Sequence, residues 1–234
     1  MMYTVNPLAK HSYSVVGNEQ TPVYIIDNFM TDVDECKQYA LTQATFAKPE
    51  KSAYPGKIAK LPKEYTEVVL QQAIEVIHTF YQVPTNLRLV KEAMVYSIVT
   101  QSEDSLELKQ AIPHFDSLSS KHFAIMHYIN EGKFDGTGFY RHNPTGFEKI
   151  DQQKLPILDK AVVDYFNQKG LPRQAYFNLS DDHFSLIGKV DYQPNRLVIY
   201  PGALLHSALI DPNRDVIDNI NTGRLTSNIF IDFE

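Results

Sequence analysis

Apolar periodicity divides the chain into a helix-bearing first third and a strand-rich remainder. Val23-Tyr24-Ile25-Ile26-Asp27 is a short apolar run that reads as a strand. Thr31 is positioned to cap a helix reaching about Gln43, with Asp32, Asp34 and Glu35 favourable in its electropositive first turn. Pro49, Pro55, Gly56, Pro62 and five lysines predict a loop over 46–63. Val68, Ala73, Ile77 and Phe80 recur at near-helical spacing, predicting a second helix over 64–82.

From Leu87 onward the period changes. Strands are predicted over 89–99, 123–129, 137–140, 196–200, 204–210 and 224–233. An insert over about 141–194 interrupts them and carries a helix over 158–168, bounded by Pro156 and Gly170. In the last strand, alternation places Leu225, Ile229, Ile231 and Phe233 on one face, with Ser227 the exception. Arg224, Thr226 and Asn228 share the other. Helices first and strands afterwards imply a mainly β, α+β protein with helices on one side of an antiparallel core. The expected organisation is one domain, with 1–86 as helical support and 87–234 as the core.

Composition narrows the class. The 234 residues are 43% hydrophobic and 21% charged, which describes an ordinary globular chain large enough to need no covalent staples. A net charge of −6 argues against binding nucleic acid through a basic surface. No apolar run approaches membrane-span length, and Met1 to Val16 lacks the apolar core of a secretory signal. Cys36 stands alone, so neither an internal disulfide nor a cysteine-based zinc site is expected, in keeping with a cytoplasmic protein.

Candidate chemistry centres on His114-Phe115-Asp116. In extended backbone, residues two apart point to the same face, so His114 and Asp116 can grip one metal ion together. A third donor, His206, follows the aliphatic stretch Leu197 to Leu205. Two histidines and a carboxylate with open positions form the facial triad of non-haem Fe(II) oxygenases. Either histidine alone would more often be structural.

The strands together resemble the Fe(II)/2-oxoglutarate-dependent dioxygenase superfamily, most nearly its prolyl-hydroxylase-like branch. The pair His114 and Asp116 comes first. Ala124-Ile125-Met126-His127-Tyr128-Ile129-Asn130 is similar to that branch's Tyr-Leu-Asn strand, and Asp135-Gly136-Thr137-Gly138-Phe139 to its Gly-Gly-x-Thr-x-Phe segment. His206 follows, and Gly223-Arg224-Leu225-Thr226 resembles the Gly-x-Arg-x-Ser/Thr motif. The likeness covers about 90–140 and 195–233, while Tyr140-Arg141-His142 and Thr145-Gly146-Phe147-Glu148 are similar to a bacterial subgroup. It implies a double-stranded β-helix, or jelly roll. It also implies Fe(II) held by His114, Asp116 and His206, and 2-oxoglutarate held by Arg224 with hydroxyl help from Tyr128 and Thr226. Dioxygen and 2-oxoglutarate would be consumed, succinate and CO2 released, and an amino-acid, peptide or small-molecule substrate hydroxylated. Asp116 disfavours halogenation, because related halogenases carry a small residue there.

Two positions depart from the pattern. His206 and Arg224 lie eighteen residues apart, longer than is usual in the family, and Asp135 replaces one glycine of the Gly-Gly turn. Two other readings keep the strands: a cupin-like metal dioxygenase or isomerase without 2-oxoglutarate, and a non-catalytic binding or regulatory module.

The remaining polar residues read as structural. His127 should face the helices, His122 solvent, and His78 the surface or a helix contact. Tyr140, Arg141 and His142 are expected at the barrel mouth, solvated more readily than in contact with substrate. Glu148 reads as an anchor for the insert. Lys48, Lys51, Lys57, Lys60 and Lys63 read as a solvated loop in preference to a lid, with Tyr54-Pro55-Gly56 its best candidate for ligand contact.

Overall fold

The computed structural model describes residues 3–50 and 53–234; Lys51 of the basic loop and the N-terminal Met1 and Met2 lie outside the described residues. Alternation on the predicted strands becomes the two faces of one large sheet. In chain order the strands are β1 (Lys10–Val16), β2 (Thr21–Asp27), β3 (Gly56–Lys60), β4 (Leu89–Val99), β5 (Phe123–Tyr128), β6 (Thr137–His142), β7 (Phe184–Val190), β8 (Arg196–Pro201), β9 (His206–Ala208) and β10 (Leu225–Phe233). The helices are α1 (Asp34–Thr42), α2 (Lys63–Thr79) and α3 (Leu155–Lys169).

A seven-stranded sheet runs β1-β2-β8-β5-β10-β4-β3, and a three-stranded sheet runs β7-β6-β9. Every strand pair is antiparallel. Leu197, Ile199, Phe123, Ile125, Leu225, Ile229, Ile231 and Phe233 leave one face of the large sheet and meet Cys36 and Ala40 of α1 and Tyr65, Val69, Ala73 and Ile77 of α2. Val198, Tyr200, Ala124 and Tyr128 leave the opposite face and pack with Phe139, Val190 and Leu204 from the small-sheet side. Burying each such aliphatic or aromatic side chain contributes roughly 1.5–3 kcal/mol. The mainly β architecture with flanking helices therefore agrees with the sequence reading.

Ser227, the exception on the apolar face of β10, has a local reason. Its hydroxyl lies 2.7 Å from Tyr65 Oη, which also meets His127 Nδ1 at 2.8 Å, and His127 Nε2 lies 3.1 Å from Asn195. Four polar side chains thus satisfy one another under α2, and His127 faces the helices as expected.

Several boundaries differ from expectation. The residues 1–86 are not only helical support, since β1, β2 and β3 all join the large sheet. Residues 56–60 form a strand within the predicted loop. Gly56 permits it, because a Cβ there would sit 2.0 Å from Ile98 O on the paired strand. Lys57 and Lys60 then lie on a sheet edge, where charge discourages pairing with another chain. Thr31 does not cap α1; the helix starts at Asp34 after Val33, which makes no side-chain cap bond. β7 escaped the periodicity because Ser185, Gly188 and Lys189 interrupt its apolar residues. No helix among the described residues is long and apolar enough to cross a membrane.

Candidate metal and co-substrate site

His114 and Asp116 sit in the connection after β4, within irregular backbone and not on the regular strand expected for them. A single antiparallel bridge does the aligning: His114 N donates to His206 O at 2.9 Å, and His206 N donates to His114 O at 2.8 Å. His206 opens β9 instead of ending a longer strand, after a turn at the end of β8. Asp116 N donates to Gly202 O at 2.7 Å, tying the carboxylate to that same turn.

The three side chains converge. One donor atom from each lies within 4.8 Å of the others. His206 Nε2 is 3.6 Å and His114 Nε2 is 3.9 Å from an Asp116 oxygen. His206 Nδ1 is 2.8 Å from Leu204 O, and a carbonyl only accepts. Nδ1 therefore carries the proton, and the Nε2 lone pair is left for the centre.

Electrostatics favours the ligand forms of both rings. Desolvation, then the adjacent His206, lowers the His114 pKa to about 4. Desolvation also lowers His206 to about 4. Burial pushes the Asp116 carboxyl above its ordinary value. Asp116 Oδ2 is buried with no hydrogen-bond partner. Neutral imidazoles beside a desolvated, unsatisfied carboxylate oxygen are the donor set a divalent first-row metal prefers.

Tyr200 links this cluster to a second one. Its ring centroid lies 5.0 Å from that of His206, and its hydroxyl is in the electrostatic field of Asp116, Tyr128 and Arg224. Arg224 is 1% exposed. Its Nε and Nη2 donate to Asp135 O and Gly136 O, both at 3.0 Å. Its guanidinium carbon lies 5.7 Å from the ring centroids of both Tyr128 and Tyr192. Tyr128 Oη meets Thr137 Oγ1 at 2.8 Å. Thr226 pairs directly opposite Tyr128 across β10 and β5 and accepts from Asn228 Nδ2 at 3.0 Å. Asn228 Nδ2 also donates to Ser97 Oγ at 2.8 Å, and Tyr54 reaches Ser97 from the loop before β3.

The structure thus gathers His114, Asp116 and His206 at one end and Arg224, Tyr128 and Thr226 at the other. Tyr200, Thr137, Tyr192 and Ser97 were not anticipated. Strand parity alone could have found Tyr200, which alternates with Leu197 and Ile199, and Ser97, which alternates with Tyr96 and Ile98. Nothing in the sequence pointed to Tyr192.

Two expectations about neighbouring residues are revised and a third, for Glu148, agrees with the structure. His122 is buried, not solvent-exposed. Tyr140 and His142 are also buried, at 0% exposure, so they are core residues and not a solvated mouth. Glu148 is an anchor: it accepts from Asn18 N and Glu19 N at 2.9 Å and from Arg141 Nη2 at 2.6 Å. The long connection after His206 also gains a role. Buried Asp215 accepts from Asp135 N at 3.3 Å and Asp211 N at 3.0 Å, pinning the turn whose carbonyls hold Arg224.

This chain belongs to the family described as "Family of unknown function (DUF6445)", which it matches over residues 7–231. No curated protein matches it. Among solved structures it is similar to HygX from Streptomyces hygroscopicus with nickel, 2-oxoglutarate and hygromycin B bound. The identity is 11%, the TM-score 0.45, and the match covers 92% of this chain and 83% of that one. The same protein with nickel and 2-oxoglutarate bound matches at 11% identity and a TM-score of 0.45, covering 92% and 84%. An N-substituted L-amino acid dioxygenase from Burkholderia ambifaria AMMD matches at 9% identity and a TM-score of 0.41, covering 92% and 83%.

Proposed function

We propose that the protein is an Fe(II)- and 2-oxoglutarate-dependent oxygenase, a single domain on a double-stranded β-helix core, hydroxylating an amino-acid, peptide or small-molecule substrate. One observation carries the reading. His114, Asp116 and His206 converge around a buried carboxylate oxygen that has no hydrogen-bond partner, and a buried arginine lies across Tyr200 from them. When bound, the iron and co-substrate would supply the oxidising chemistry, with succinate and CO2 as products.

The chain's own residues have definable tasks in this reading. His206 presents a lone pair fixed by Leu204 O, and Asp116 supplies the negative charge. Arg224 offers guanidinium donors beyond those bonded to Asp135 and Gly136 to an incoming carboxylate. Tyr128 and Thr226 place hydroxyls on the same sheet face, and the paired rings of Tyr128 and Tyr192 shield one side of the guanidinium from water.

Anaerobic titration with Fe(II) and 2-oxoglutarate, followed by succinate measurement in air, tests the reading. Metal binding that is lost in His206→Ala, with slow succinate formation by the wild type, supports it. No metal binding, or the same metal affinity in His206→Ala, overturns it. A metal dioxygenase or isomerase that does not use 2-oxoglutarate is favoured by one feature, since two guanidinium nitrogens already serve backbone carbonyls. Calorimetry on Mn(II)-loaded protein separates the two, because this second reading requires metal binding without 2-oxoglutarate binding.

A further inference from the structure

We propose that His122 is a positioning residue for Asp116, oriented by Glu92 and acting through the backbone of Gly202. The inference rests on the metal reading above. His122 lies six residues past Asp116 and outside the triad. Its side chain is 1% exposed, whereas that of Glu92 is 47% exposed, and His122 Nε2 lies 3.2 Å from Glu92 Oε2. A carboxylate only accepts, so Nε2 carries the proton that Glu92 receives.

The other side of the ring presses on Gly202. A Cβ at that position would sit 2.0 Å from His122 Nδ1, so only glycine lets the ring and the turn approach this closely. Both backbone groups of Gly202 are also bonded: its N–H donates to His122 O at 2.9 Å, and its carbonyl accepts from Asp116 N at 2.7 Å. Phe230 closes the outer face of the ring, nearly parallel at 25° and 6.1 Å. His122 is therefore a wedge between a rim carboxylate and the turn that sets Asp116.

A purely structural histidine would leave the centre indifferent to it. Here Nδ1 is buried without a hydrogen-bond partner, as is Asp116 Oδ2, and both groups are coupled to the same turn. His122 also lies in the electrostatic field of Asp116 and of His206. Partners behind a metal ligand fix its direction, and losing one typically weakens metal binding about 10–100-fold.

The test is anaerobic Co(II) titration of the full chain, read by visible absorption, which reports both affinity and ligand arrangement. His122→Asn and Gly202→Ala are expected to raise the Co(II) Kd about 10-fold or more and to change the shape of the band. Glu92→Gln, on a half-exposed side chain, should shift both in the same direction by less, without moving the unfolding midpoint of the metal-free protein. The decisive contrast is with His206→Ala. If that variant loses Co(II) while Glu92→Gln and Gly202→Ala keep the wild-type Kd and spectrum, His122 is only structural and the proposal fails. Should His122→Asn not fold, these two variants still decide. Failure of the wild type to bind Co(II) would instead overturn the metal reading and this inference with it.

Discussion

His114 keeps 51% of its side chain open to solvent, whereas Arg224, within reach of the same Tyr200, is 1% exposed. The metal end rests on a connecting segment, one backbone bridge and a turn. The arginine end is enclosed by two tyrosine rings, two carbonyls and the pinned connection through Asp215. The contrast assigns different duties. Arg224 ties the turn before β6 to the large sheet whether or not a ligand is present, while in the function proposed above the triad would take its stabilisation from a cation.

The largest expected effect follows from the buried end. Arg224→Ala leaves Asp135 O without its donor, leaves Gly136 O with Leu209 N alone, and opens a space beside the paired rings of Tyr128 and Tyr192. The unsatisfied Asp135 O costs about 1–3 kcal/mol and the space left by the buried guanidinium adds to it, so a loss of roughly 3 kcal/mol or more is expected. Urea unfolding of metal-free protein measures it. A loss below about 1 kcal/mol would show that the arginine serves only ligands.

Acid provides the next largest effect. His127 is fully buried, and desolvation lowers its pKa to about 4 from the ordinary 6.5. The folded state therefore prefers the neutral ring. Stability is complete above about pH 6.5 and falls as pH drops towards 4, by about 3 kcal/mol from this residue alone. His142, lowered to about 4 by burial and by His183, acts in the same direction. Urea unfolding at pH 7 and pH 4.5 checks the sign, and a flat profile would contradict the burial of these rings. His127→Gln should reduce the slope, placing part of the acid sensitivity behind the sheet and not at the metal end.

What could be read in the sequence follows the same division. Strands whose apolar residues alternate against a helix, β5, β8 and β10, were legible because both faces are buried and regular. The convergence of His114, Asp116 and His206 could be anticipated because three chemically distinctive residues recur in a known order. Arg224, Tyr128 and Thr226 were reached through resemblance, and the shared sheet face of Tyr128 and Thr226 follows from antiparallel pairing. β1 and β3 were not legible. They are edge strands, and their polar residues do not carry the apolar signal of a central strand. His122 was misjudged because its burial comes from a contact with Gly202, eighty residues later, that no local pattern encodes. The same holds for Tyr192, whose place over Arg224 is set by how β7 and the following turn lie against the large sheet.

Smaller effects sharpen the contrast from both sides. Tyr128→Phe removes the hydrogen bond to Thr137 and keeps the ring over Arg224, so a loss of about 1 kcal/mol is expected. 2-Oxoglutarate affinity should fall severalfold if the hydroxyl meets the co-substrate, and calorimetry on Mn(II)-loaded protein reads this directly. An unchanged affinity would confine Tyr128 to packing.

His114→Ala is expected to have the least effect on the fold and a large one on binding. The side chain is half open, its ring meets His206 at 4.4 Å between centroids, and its backbone bridge survives the substitution. Metal-free stability should change by no more than about 0.5 kcal/mol, as for most surface positions. Metal affinity, in contrast, should fall by at least about 100-fold, the upper range seen for losing a partner behind a ligand, because here the ligand itself is lost. A variant that unfolds easily yet still binds metal would reverse the assignment: His114 would be holding the rim together, and the cation would have to be held by other groups.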